Sequence, residues 1–179
     1  MSCAPEHDLL EAFLALDTPP GFKAELIEGE IVVAPPPDGE HETAVGRLAR
    51  QVARQASGEI DFAPGKGLIV PSGRFIPDAT FAVWGAMSKC GSWSEPDGVL
   101  MVAEVTSSRP DKDRVTKRKV YAAAGIPLFL LIDRDKNQVV LFGEPRDGDY
   151  LATTAVPIGS PLDLPEPFGF TLDTAALVE

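Results

Sequence analysis

Two carboxylates fall where a chain least easily tolerates them. Asp78 follows Pro77 in the apolar stretch Phe75-Ile-Pro-Asp-Ala-Thr-Phe-Ala-Val-Trp84, and Glu104 nearly ends the run Gly98-Val-Leu-Met-Val-Ala-Glu-Val105. Both stretches read as buried strands. An ionised carboxylate there is costly unless a cation or hydrogen bonds compensate it, so a pair on neighbouring strands points to a shared positive ligand. A metal ion is the simplest such ligand. Magnesium suits the place, because it takes one or two carboxylates with waters and a substrate phosphate and needs no histidine or cysteine. Pro77 removes one ladder hydrogen bond, which fits a strand that opens beside a ligand. Alternation sends Asp78, Thr80 and Ala82 to one face, and puts Leu100 and Val102 on the face of Glu104.

The next segment supplies an amine. A helix is predicted from about Lys112 to Ala124, stopped by Gly125 and Pro127. With Asp113 at zero and about 100° per residue, Val120 falls at about −20°, Ala124 at about +20°, Lys117 at about +40° and Tyr121 at about +80°. Lys117 thus belongs to the stripe that faces the sheet, whereas Arg118 and Lys119 point away. A lysine buried beside two acids is either a structural ion-pair partner or a catalytic cation. Other residues carry two readings as well. His41 either contacts the site or packs, Glu25 either adds a ligand or closes a hairpin, and Tyr121 packs with its hydroxyl bonded. Lys66 reads as a solvated loop residue. Trp84 and Trp93 read as core lids or base-stacking surfaces.

The remaining sequence must position these groups. A helix is expected over residues 8–16. A hairpin follows, Ala24–Ile27 with Ile31–Ala34 around Glu28-Gly-Glu30, and then a helix over residues 40–55 with His41, Val45, Leu48 and Val52 on one side. Strands are expected at 60–62, at 68–70, at the Asp78 segment and at the Glu104 run, with Pro71-Ser-Gly73 as a turn. Residues 128–132 and 138–142 make a hairpin around Asp133–Asn137. A proline-rich tail of edge strands and loops follows, with a short helix at 174–178. This order predicts an α/β (α+β) fold, a mixed sheet with helices packed on it.

The 179 residues fit one domain, with 1–21 as an N-terminal helical extension and 143–179 as a strand-and-loop embellishment. No apolar run is long enough to cross a bilayer. The start lacks the pattern of a secretion signal, and two cysteines are too few for a disulfide framework, so the expected location is the cytoplasm. A net charge of −11 argues against a general nucleic-acid coat. From Glu104 to Lys119, however, six basic residues face three acids, a local net of +3 that leaves −14 for the rest. That basic island, Arg114 and Arg118 included, is either a phosphate-binding feature or a solvated helix face.

Together these residues resemble the Uma2 family of endonuclease-type proteins, within the PD-(D/E)XK nuclease superfamily. The resemblance runs from about Ala24 to Phe142: Glu25-Leu-Ile-Glu-Gly-Glu30, His41, Pro77-Asp78, Glu104-Val-Thr-Ser107, then Asp113, Lys117, Tyr121, Gly125-Ile-Pro127 and a strand ending in Asp133. It implies a restriction-endonuclease-like mixed sheet flanked by helices and hydrolysis of DNA phosphodiester bonds. It also implies Mg2+ (or Mn2+) on Asp78 and Glu104, with Lys117 as the catalytic lysine. Glu25, His41 and Tyr121 would support the site, and a homodimer would address two strands with two sites. The chain departs from the superfamily at Thr106, where the general motif has lysine, and Leu128-Phe129 replaces the family's usual aromatic pair. The lysine has then either migrated to Lys117 or been lost. In the second case the chain is a silent nuclease-fold module that binds nucleic acid or a protein partner. Two nearby carboxylates without metal resist ionising together, so at least one raised pKa is expected.

Overall fold

A computed structural model describes residues 4–106 and 111–178, without the side chains of residues 4, 5, 112 and 113. Ser107 and Arg109, which figured in the motif and the basic island, lie outside the described residues, as does the side chain of Asp113. Helix α1 (Ala4–Leu14) leads into a hairpin of β1 (Lys23–Ile27) and β2 (Glu30–Ala34). The two hairpin-turn residues, Glu28 and Gly29, both have positive φ (49° and 82°), the combination that matches the twist of the flanking strands. Helix α2 (Gly39–Gln55) starts at Asp38, whose carboxylate accepts the His41 N–H at 2.7 Å.

Next come β3 (Ile60–Phe62), β4 (Gly67–Val70), β5 (Gly73–Phe75), β6 (Ala79–Val83), β7 (Trp93–Ser94) and β8 (Val99–Val105). A π-helical stretch (Lys112–Lys117) runs into α3 (Arg118–Ala123), then β9 (Leu128–Asp133), β10 (Gln138–Arg146), β11 (Asp149–Pro157), β12 (Leu162–Leu164) and β13 (Phe170–Leu172). A 3-10 turn (Ala175–Leu177) stands where the final helix was expected.

A six-stranded sheet, ordered β11-β10-β9-β8-β6-β3, forms the centre. Only β8 and β9 run parallel, joined by the crossover through α3, and every other pair is antiparallel. One face packs α2 and the β12–β13 hairpin through Val45, Leu48, Phe81, Met101, Leu130 and Phe168. The other packs α3 and a five-stranded sheet (β2-β1-β5-β4-β7) through Val102, Phe129, Tyr121, Leu68 and Phe75. Burial on both faces explains why β8 and β9 are almost continuously apolar. It also isolates Glu104 as the one acid within β8.

Three expectations need correction. Residue 73 is not only a turn. It opens β5, which pairs with β1 so closely that a Cβ at Gly73 would sit 1.8 Å from the Leu26 carbonyl oxygen. Leu100 does not share the Glu104 face, because a bulge opposite Phe81/Ala82 turns it to the α2 side with Met101. The helix after Glu104 is not uniformly α. Since its first turn and a half is π, the 100° spacing holds only from Lys117 onward. The proline-rich tail includes the nine-residue edge strand β11.

Candidate active site

Strand pairing brings the two acids together. Ala79 pairs with Ala103, so one step further along the antiparallel register sets Asp78 beside Glu104. Asp78 lies just before β6 rather than within it. Pro77 offers no N–H to the ladder, and the Asp78 carboxylate itself takes the Val105 N–H on Oδ2 at 2.9 Å. The same oxygen is 2.9 Å from His41 Nε2, and Oδ1 accepts from Lys23 Nζ at 3.2 Å.

Glu104 is almost wholly buried and faces α3. Its Oε2 is 2.9 Å from Lys117 Nζ, and its Oε1 accepts the Tyr121 hydroxyl. Lys117, itself buried, reaches Glu25 Oε1 at 3.9 Å. Glu25 Oε1 also accepts the Ile76 N–H at 2.7 Å, which ties β1 to the segment leading into Asp78. Asp78, Glu104 and Lys117 therefore share one cleft, with His41, Glu25 and Tyr121 bonded to that cluster. The cleft is a pocket of about 440 Å³ that Val32, Val33 and Pro35–Pro37 also line.

Electrostatics set the protonation states. Burial pushes the Asp78 carboxyl up, but the His41 hydrogen bond and the charges of Lys117, His41 and Lys23 outweigh it, so the group lies well below the usual carboxylate range. Asp78 is thus not the carboxyl expected to rise. Because an ionised Asp78 only accepts, His41 donates through Nε2 and leaves Nδ1, among the described residues, without a hydrogen-bond partner, 3.6 Å from Glu42 Oε1. Burial, reinforced by Glu104, Glu25 and Asp78, raises the Tyr121 phenol well above its ordinary value, so it stays protonated and donates.

Three charged pocket residues, Lys23, Asp38 and Arg134, escaped the sequence reading. Lys23 had a signal, since it stands two residues before Glu25 on the same face of β1. Arg134 had none. It pairs with Asp38 through two bonds of 3.0 and 3.1 Å and donates to the Thr106 carbonyl. With these partners and His41, the Asp38 carboxyl is lowered to about 2, chiefly by the Arg134 hydrogen bond. Thr106, at the superfamily's lysine position, is buried, and its hydroxyl accepts the Arg134 N–H at 2.9 Å, pinning the end of β8 to β9.

Arg114 and Arg118, expected as phosphate contacts, lie outside the pocket lining and are engaged by carboxylates. Arg114 forks onto Asp133 with two bonds of 2.7 Å and also meets Asp111 and Asp135. Arg118 lies over the Phe142 ring and bonds Asp149 at 2.8 Å. Lys66 ties its loop to the Gly91 and Ser92 carbonyls. Trp93 packs edge-on against Phe13, whereas Trp84 is 68% exposed.

The donor set fits a hard divalent cation. Two carboxylates converge on one pocket, and among the described residues no group of three or more His, Cys, Asp and Glu forms a preassembled cage. Magnesium is commonly held by one or two carboxylates, with water and substrate completing the shell. All four carboxylate oxygens already have protein donors, so a cation would have to displace some of them.

The mixed sheet with helices on it and the acid–amine cleft define a protein of nuclease fold. Comparison with solved structures agrees. A crystal structure described as a putative nuclease belonging to DUF820, from Anabaena variabilis, superposes with a TM-score of 0.74 at 19% identity, covering 94% of this chain and 96% of that one. The Uma2 family model, described as "Putative restriction endonuclease", matches residues 10–175. The chain belongs to the Uma2 family. No curated protein matches it.

Proposed function

We propose that this chain is a metal-dependent endonuclease that hydrolyses DNA phosphodiester bonds, with Asp78 and Glu104 as the ligands of Mg2+ (or Mn2+) and Lys117 as the catalytic cation. One observation carries the reading: Lys117 Nζ lies 2.9 Å from a carboxylate oxygen of Glu104, on the strand paired with the Asp78 segment, inside a single pocket. When bound, the metal would supply Lewis-acid charge to the phosphoryl group and make water more acidic. The chain's own groups do the rest. Lys117 offers donors and a positive charge to the phosphate as negative charge builds on it. Tyr121 and Glu25 hold Glu104 and Lys117 in place, and His41 orients the Asp78 carboxylate. A homodimer, with one site per strand, belongs to this proposal.

The proposal is tested by incubating supercoiled and linear DNA with Mg2+ or Mn2+, with and without chelator. Nicking that chelator stops, and that Asp78→Asn and Glu104→Gln each abolish, is the expected result. Equal cleavage by both variants would rule the assignment out.

A second reading, a silent module that binds nucleic acid or a protein partner, is favoured by the full complement of protein donors on the four carboxylate oxygens. A folded chain that binds Mn2+ weakly or not at all and leaves DNA intact would select it.

A further inference from the structure

Away from the pocket, α2 carries a second cationic feature. Arg47, Arg50 and Arg54 border a groove of about 280 Å³ with Gln51 and, from the 3-10 turn, Ala176. Their i, i+3, i+7 spacing makes a row. With His41 at zero and about 100° per residue, they lie at about −120°, 180° and −140°, on the far side from the buried Val45, Leu48 and Val52. Arg50 and Arg54 are exposed and Arg47 is half-buried.

Among the described residues these three guanidiniums make no hydrogen bond or ion pair. Arg114, Arg118 and Arg134 are all bonded to carboxylates. Asp173, bonded to Gln51 of the groove, has its side chain engaged elsewhere. Its carboxylate accepts the N–H groups of Ala175 and Ala176, and its main chain is clasped by Gln51. On a chain with 27 acids against 16 bases, a row of arginines with no acidic partner among the described residues keeps its planar guanidinium forks available to phosphate oxygens.

We propose that the Arg47–Arg50–Arg54 row binds backbone phosphates of the nucleic acid whose scissile bond enters the Asp78–Glu104 pocket, an inference that rests on the nuclease reading above. Helix α2 begins at that pocket, with His41 on Asp78. At about 1.5 Å per residue the row lies about 9 to 20 Å further along the helix. It spans about 10 Å, the length over which one strand of a duplex sets out about three phosphates. Glu40, in the first turn of α2, lies 3.6 Å from Arg134.

The test measures binding of a fluorescent duplex of about 30 base pairs, in EDTA, across about 50 to 200 mM KCl, by wild type, R47A/R50A/R54A and R47K/R50K/R54K. Each phosphate contact steepens the salt dependence by about 0.9, so the alanine variant should show a slope shallower by about 2.7. Wild-type affinity should then fall about 40-fold more than the variant's over that range. The lysine variant should keep the wild-type slope. Should the triple alanine variant misfold, R50A and R54A alone should each lower the slope by about 0.9. An unchanged slope in a folded variant overturns the inference and leaves the nuclease reading standing. Absence of any wild-type binding also overturns the inference, and the cleavage assay with metal then decides the nuclease reading separately. Self-association that the alanine variant loses, with DNA binding unaltered, gives the row to a second, acidic copy of the chain and also overturns the inference.

Discussion

At the scale of single residues, the candidate site is a balance of charges that any metal would have to enter. Lys23 and His41 hold Asp78, while Lys117 and Tyr121 hold Glu104. Of the cations, Lys23 is the most exposed, with a side chain 31% accessible, and so the one most easily displaced. Lys23→Met should therefore tighten Mn2+ binding about fivefold, the equivalent of about 1 kcal/mol for a partly solvated ion pair. Titration calorimetry reads this directly, and weaker binding would make Lys23 a support of the site instead of a competitor. Tyr121→Phe removes the phenol that burial, with the acids around it, keeps protonated. With one hydrogen bond to a buried carboxylate lost, urea unfolding should show a decrease of about 1.5–3 kcal/mol. A change below about 0.5 kcal/mol would mean that the hydroxyl does not hold Glu104.

At the scale of elements, the π-helical stretch and β9 are fastened by Arg114 on Asp133, a pair with side chains 16% and 1% accessible. Burial raises the Asp133 carboxyl, but the Arg114 hydrogen bonds more than reverse this, so the folded pKa is lowered. A depressed folded pKa gives stability that is present above the unfolded value of about 3.9 and is lost as pH falls through the folded value. Arg114→Leu leaves a buried charge without its partner and should cost about 3–5 kcal/mol at neutral pH. The gap to wild type should close as pH drops below about 4, in denaturant titrations at stepped pH. A pH-independent gap would assign the loss to packing alone.

Elements with strong periodicity were legible in the sequence: the β1–β2 hairpin, α2 with His41 on its buried face, and the acidic ends of the paired central strands. The Lys117 stripe survived because the residues that define it, 117 to 124, lie at or beyond the π-to-α junction. What escaped depends on tertiary contact. No local pattern shows that Gly73 meets the Leu26 carbonyl, that a bulge reverses Leu100, or that Arg134 crosses from the end of β9 to the cap of α2. The pairing of Arg114 and Arg118 was hidden for the same reason, since the partners that claim them are about 20 to 30 residues away.

For the whole molecule, the decisive fact is that the central sheet is buried on both faces. Asp78 is bonded from one side by His41 of α2 and from the other by Lys23 of the five-stranded sheet, so the site spans both layers. The two sheets also share the core around Tyr121, Phe75 and Phe129, whose rings meet edge-on at 6.1 and 5.4 Å. Such a chain should unfold as one cooperative unit. The tryptophans report on the two layers separately, since Trp93 opens β7 of the five-stranded sheet and packs on Phe13 of α1, while Trp84 follows β6 of the central sheet. In Trp84→Phe the remaining fluorescence follows Trp93 alone, and its urea midpoint should coincide with that of far-ultraviolet circular dichroism. An earlier fluorescence midpoint would show that the layer bearing Lys23 and Glu25 detaches first. In that case cleavage should fail at the same denaturant concentration, before the central sheet melts, because Lys117 and the segment leading into Asp78 would both have lost Glu25.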